Sequence, residues 1–171
     1  MQPVRIRQVK KEIRVLGVAS AVQDGSTRVV GVVFRGARWL DGVMSAESPG
    51  VDLTRTIIDM VNGSPHRKQV RVIMLHSGLM PGGSRVDAGR IFSETSKPVI
   101  ILGAKSLGAV ADPDVGHLAW DRGVNAVDVA YIGLRERDAE VILGVATGGG
   151  PTPEALRVAE LIIRGLQAPP T

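Results

Sequence analysis

The hydrophobic pattern of this chain changes period at Pro49-Gly50, and that change restricts the fold more than any other feature. Before it, Val15–Val18 is an apolar run ended by Ala19-Ser20 and reads as a buried strand. Gln23-Asp24-Gly25-Ser26 is a turn signal, and Val29–Phe34 is a strand rich in β-branched residues. Arg35-Gly36-Ala37-Arg38 is a short hairpin connection, and Trp39–Met44 is a third strand whose Asp41-Gly42 reads as a turn or bulge. Strands joined this tightly form an antiparallel meander.

After Pro49-Gly50, Leu53, Ile57, Met60 and Val61 recur at helical spacing, with Asp52 at or near the helix N-cap. Val70–Leu75 and Pro98–Leu102 are strands that are apolar almost throughout, and a helix from about Val86 to Thr95 lies between them. Continuous apolar strands separated by helices predict a parallel sheet buried on both faces. Farther on, the pattern predicts a helix near Pro113–Arg122 and a strand pair at Val127–Ile132 and Glu140–Val145. A last helix is expected with Thr152 as its cap, Pro153 at its first position, and Leu156, Ala159 and Leu161–Ile163 in its body. This is the ribonuclease H-like order: an α/β fold with a mixed sheet, three antiparallel strands first, then parallel strands and flanking helices. In such a sheet the first strand lies beside the fourth, and their carboxyl ends face one cleft.

A chain of 171 residues without a linker or repeat is read as one domain, 1–171. The lack of cysteine excludes a disulfide scaffold, a thiolate zinc site and a cysteine nucleophile. No apolar run reaches the ~18–20 residues of a membrane span, and no signal peptide is evident, so a cytoplasmic protein is expected. Two asparagines and no cysteine fit a thermophile's composition. The net charge of +4 is compatible with a nucleic-acid partner, with Arg35, Arg38, Arg67 and Lys68 as candidate phosphate contacts near loops and strand ends. At 3% aromatic content there is little to stack bases on. Gly148-Gly149-Gly150 lacks the spacing and lysine of a P-loop and reads as a connection. Asp112, Asp114 and His117 imitate metal-ligand spacing, but a turn at Pro113 explains the aspartates more simply.

Four segments together resemble an uncharacterised, mainly archaeal family related to endonuclease V. They are Lys11–Val18 (KEIRVLGV), Val29–Val43 (VVGVVFRGARWLDGV), His66–Leu75 (HRKQVRVIML) and Thr152–Leu166 (TPEALRVAELIIRGL). The resemblance runs from about Lys11 to Leu166. It implies a site in which carboxylates at strand and helix ends hold Mg²⁺ or Mn²⁺, activate water and stabilise a leaving oxygen. The first acid belongs after the Leu-Gly-Val run, where this chain has Ala19; Asp24 is the nearest acid that could reach back. The second falls on Asp52. The third belongs after the fourth strand, where His76 stands. Gly103-Ala104-Lys105 matches a family lysine, and the Pro153–Glu160 context places Glu160 as the last site group. The resemblance thus implies Asp52, His76, Lys105 and Glu160 as catalytic residues, with Asp52 and Glu160 as metal ligands. With both strand-end acids replaced, weak Mg²⁺ or Mn²⁺ binding is expected, with weak or no phosphodiester cleavage. The alternatives are an active nuclease with a rearranged site and a small-ligand or protein-interaction domain on the same scaffold.

Overall fold

A computed structural model describes residues 3, 6, 8–107, 112–121, 123 and 125–167. The meander consists of β1 (Arg14–Gln23), β2 (Ser26–Arg35) and β3 (Trp39–Ser48). Each strand is longer than its apolar run, because pairing with a neighbour extends the ladder into polar residues such as Gln23 and Glu47. Asp24 and Gly25 form the β1–β2 turn with φ of 50° and 80°, the conformation that a two-residue hairpin requires. The β2–β3 register slips between Val33 and Phe34, which pair with Gly42 and Leu40, so Asp41 is the extra residue of a bulge.

The chain continues through α1 (Thr54–Asn62), β4 (Val72–His76), a 3₁₀ turn (Ser77–Leu79), α2 (Ala88–Thr95), β5 (Val99–Leu102) and a second 3₁₀ turn (Ala104–Leu107). It ends with β6 (Gly116–Asp121), β7 (Ala126–Ile132), α3 (Glu136–Ala146) and α4 (Glu154–Gln167). Among the described residues the strands form one sheet in the order β3-β2-β1-β4-β5-β7-β6. β1 is parallel to β4 and β4 to β5, while β7 runs antiparallel to β5. The mixed ribonuclease H-like sheet, with the first strand beside the fourth, is as the sequence predicts.

Three expectations in the last third of the chain are corrected. The predicted helix at Pro113–Arg122 is strand β6, whose partly buried Leu118 and buried Trp120 alternate with exposed residues. Gly116 makes this hairpin fit, since a Cβ there would lie 2.3 Å from the ring of Tyr131, its cross-strand partner. The predicted strand at Glu140–Val145 belongs to helix α3, where Ala139, Ile142, Leu143 and Ala146 form a buried helical stripe. Burying that stripe against the sheet overrides the β-branched character of Val141-Ile142. Finally, the carbonyl of Pro153 accepts the first helical hydrogen bond of α4 from Arg157 at 3.0 Å, so Pro153 and not Thr152 occupies the cap position.

The sheet buries both faces. On one side Leu16 and Val18 pack with Ile57 and Ile58 of α1 and Ile91 of α2. On the other, Val15, Ala19, Met74 and Ile100 share a core with Ile142 of α3 and Leu156, Ala159 and Ile163 of α4. Gly17 permits the closest approach in this second layer, because a Cβ on it would lie 2.5 Å from the backbone carbon of Ala155. Among the described residues, no helix is long and apolar enough to cross a membrane.

Candidate functional site

Parallel pairing fixes what stands at the carboxyl edge. Continuing the β1–β4 register one step past Val18↔Leu75 sets Ala19 beside His76, and His76 in turn pairs with Leu102 of β5. The two strand-end positions where the resemblance expects acids are therefore neighbours on the face that α4 covers. Ala19 is fully buried there, in contact with apolar residues. Asp24 cannot replace the missing carboxylate: it sits in the hairpin turn, about 17 Å beyond Ala19 along an extended strand.

His76 caps the 3₁₀ turn that follows it. Its Nδ1 accepts a hydrogen bond from the Gly78 N–H at 2.9 Å, which engages the lone pair and leaves the neutral ring's proton on Nε2. Burial pushes the imidazole below its ordinary pKa, while the carboxylates of Glu160 and Asp128 pull the other way. Burial thus favours the neutral ring, and the charges of Glu160 and Asp128 act against that preference. Gly103, with φ of 67°, closes the packing behind it, since a Cβ there would lie 2.2 Å from Ser77 Oγ.

Glu160 projects from α4 into an open groove of about 330 Å³ that Ser20, Leu79, Met80 and Gln167 help to line. Its carboxylate pairs with Arg164 one helical turn on. Lys105 is exposed on the turn after β5, and its backbone N–H donates to the Asp128 carboxylate at 2.8 Å. The Asp128 carbonyl also accepts from Gly103 N–H at 2.8 Å, so Asp128 organises the loop that carries Lys105. Sequence reasoning missed Asp128. The available signal was a single acid interrupting the apolar strand Val127–Ile132.

Asp52 precedes α1 and interacts with a different set of residues. Hydrogen bonding to Thr54 is the main cause that holds its carboxyl below the usual range, and Arg85 and Arg90 add to it. The Thr54 N–H donates to Asp52 Oδ1 at 3.0 Å, and Asp52 bridges to Arg85. It organises the start of α1, as its position before the helical stripe predicted, and its charged neighbours are arginines. His76 thus interacts electrostatically with Glu160 and Asp128, Asp128 holds the turn that carries Lys105, and the interactions of Asp52 are with Thr54, Arg85 and Arg90.

These residues do not make an oxygen cage. Among the described residues, no three His, Asp or Glu side chains form a group able to hold a metal ion. Mg²⁺ needs near-octahedral oxygen donors, whereas the Ala19–His76 rung supplies a methyl group and an imidazole. Asp112, the other imitation of metal spacing, uses its carboxylate to accept the Asp114 N–H at 2.9 Å, as a turn requires.

The candidate phosphate contacts lie at the opposite edge of the sheet. Arg35 ends β2 and is ion-paired to Asp41 at 2.9 Å; Arg38 is exposed in the following turn. Arg67 and Lys68 are exposed in the segment that leads into β4. None of the four reaches the His76 edge, because β2 ends, and β4 begins, where β1 begins.

Comparison with known proteins agrees with this architecture. Residues 11–110 match the profile of the family described as endonuclease dU. A UPF0215 protein of Methanothermobacter thermautotrophicus is 33% identical, the match covering 97% of this chain and 93% of that protein. A crystal structure of a protein of unknown function from Archaeoglobus fulgidus superposes with a TM-score of 0.71 at 23% identity, covering 90% of this chain and 97% of that one. Human ENDOV superposes with a TM-score of 0.68 at 13% identity, covering 98% and 92% of the two chains, a likeness of fold. The matched residues and the relatives together show that this chain belongs to the endonuclease dU family.

Proposed function

We propose that this protein binds nucleic acid and that its carboxyl-edge site cleaves phosphodiesters weakly or not at all. The observation that carries this reading is the Ala19–His76 rung: both strand-end positions lack a carboxylate, and the nearby Glu160 is already paired with Arg164. Two-metal or one-metal hydrolysis depends on fixed oxygen donors around the scissile phosphate. A lone glutamate beside an imidazole favours Mn²⁺ over Mg²⁺ but holds either poorly. What the site retains is suited to holding an anion. His76 presents an Nε2–H donor, and Lys105 presents an exposed cation on a loop braced by Asp128.

The test is cleavage of single-stranded DNA carrying deoxyuridine or deoxyinosine, with Mg²⁺ or Mn²⁺, beside Glu160→Ala and Asp52→Ala variants. The expected result is salt-sensitive binding with little or no cutting, and gain of cutting in the Ala19→Asp/His76→Asp variant. Efficient cutting by the natural protein that disappears in Glu160→Ala would overturn the reading and assign an active, rearranged site. Absence of any nucleic-acid binding would overturn it in the other direction.

A further inference from the structure

The amino-terminal edge of the sheet carries one basic residue on each of four neighbouring strands. Arg35 ends β2 and pairs across the ladder with Arg14, which begins β1. The Arg71 N–H donates to the Arg14 carbonyl at 2.9 Å, so Arg71 sits at the mouth of β4 beside Arg14. Lys97 stands at the mouth of β5, where Pro98 accepts from the Ile73 N–H at 2.9 Å. With strands ~4.8 Å apart, the row spans roughly 14 Å, about four of the ~3.4 Å axial steps between successive phosphates on one strand of a duplex.

Like charges on adjacent strands repel, and a row of four is unfavourable unless something neutralises it. The fold neutralises only one charge of the four. The bulge at β3 projects Asp41 onto Arg14 and Arg35, with 2.9 Å contacts to both Nε atoms. Among the described residues, Arg71 and Lys97 have no carboxylate partner. Both line a hollow of about 600 Å³ with Lys10, Arg14 and Lys68, and Glu12 is the one acid among the described residues that line it. Lys97 is half-buried there, and burial together with Arg71 and Arg67 depresses its ammonium pKa. Among the described residues no aromatic side chain lines the hollow, so it offers charge without a surface for stacking bases.

We infer that this amino-terminal edge is a second nucleic-acid contact, on the side of the sheet away from His76 and Glu160. It grips the phosphodiester backbone without reading sequence, through Arg71, Lys97, Lys68 and Lys10. The inference rests on the nucleic-acid reading above and deepens it by naming a surface the site itself does not use. Four cations spread around a hollow of about 600 Å³ suit a polymer better than a single small anion, which would engage only part of the set.

The experiment is fluorescence anisotropy of a labelled 20-nucleotide single strand and the matching duplex over a salt series. The proteins compared are the natural chain, Arg71→Gln/Lys97→Gln, Lys105→Gln, and the charge-conserving Arg71→Lys/Lys97→Arg. The Gln pair should weaken binding roughly tenfold and flatten the single-strand log–log salt slope by about 1.4, the loss of two phosphate contacts. The charge-conserving pair should bind like the natural chain. Unfolding is not expected to confuse the result, because removing two unpaired like charges should leave the melting temperature equal or higher. Natural-level affinity and slope in the Gln pair would overturn this inference. If Lys105→Gln alone weakens binding, the nucleic-acid reading stands and the contact lies at the other edge. No binding by the natural chain would overturn both. Inorganic triphosphate serves as the competing probe. Full displacement at concentrations far below those needed for monophosphate supports a multi-charge row, whereas equal potency of the two would overturn the extended contact in favour of a single-anion hollow.

Discussion

His76 shows how one side chain's chemistry follows from its place in the sheet. Its depressed pKa comes first from burial, and the carboxylates of Glu160 and Asp128 only partly offset it. Between the lowered native value and the ordinary histidine value, the unfolded chain binds more protons than the folded one. This group's contribution to stability is therefore complete above the ordinary histidine range and declines as pH falls through that window. Nuclear magnetic resonance titration of the His76 ring should give a pKa below that of a free histidine. The Glu160→Gln variant should lower it further, since it removes a charge that favours the imidazolium; a rise would show that Glu160 does not face the ring. Asp41 is the other decisive single residue. A bulge in β3 turns it toward Arg14 and Arg35, and its side chain is only 15% exposed. The same acid that reads as a bulge in sequence is the counter-ion for the end of two strands.

At the scale of elements, the contact between α4 and β1 decides the site. Gly17 lets the backbone of Ala155 come within the space a Cβ would fill, at 2.5 Å. Glycine in a strand interior commonly marks such a close approach. This contact holds α4, which carries Glu160, against β1, and the Glu160 charge acts on His76. The Gly17→Ala substitution must push α4 away, because the obstructing atoms are backbone and cannot rotate aside. It should destabilise the protein by about 1–3 kcal/mol in urea unfolding. It should also change both the burial of His76 and its separation from Glu160, so the His76 titration should shift along with the loss of stability. A loss of stability that leaves the His76 titration unchanged would mean that α4 yields elsewhere along its length. The β4 and β5 ends are organised by similar means: Gly103 adopts a positive φ and makes room for Ser77, while Asp128 ties down the Lys105 turn.

Over the whole molecule, the two edges of one sheet carry different chemistry. The carboxyl edge gathers His76, Lys105, Asp128 and Glu160, and the amino edge gathers Arg14, Arg71 and Lys97. The sheet between them is held by two apolar layers, and the second depends on the last helix. Burying Leu156 and Ile163 of α4 accounts for roughly 3–6 kcal/mol, set against a typical total stability of ~5–15 kcal/mol. Removing α4 also uncovers Val15, Ala19 and Val32 on the sheet. A chain that ends at Ala146 should therefore show no cooperative thermal transition by circular dichroism. A sharp transition with a native near-ultraviolet spectrum would show that the sheet and three helices suffice. The family profile covers residues 11–110, so α4 and Glu160 lie outside the segment that carries that match.

The sequence alone determined the meander, the parallel strands and their helices, because each buried face imposes its own period: two for a strand, 3.6 for a helix. It also marked Asp41-Gly42 as a turn or bulge and Asp52 as at or near the start of α1, both local features. Reading failed where a local preference met a tertiary contact. The Glu140–Val145 segment is β-branched in part, yet its buried stripe makes it α3. Around the site, the sequence supplied His76, Lys105 and Glu160 through resemblance but could not bring them together. Proximity was decided by strand register, by the fit of α4 on Gly17, and by the return of β7 beside β5, which delivers Asp128 to the same edge. The basic row was equally invisible, since Arg14, Arg35, Arg71 and Lys97 are scattered along the chain and become neighbours only when four strand ends are aligned. Charge is a property of residues, but repulsion depends on distance, and only the folded sheet sets that distance.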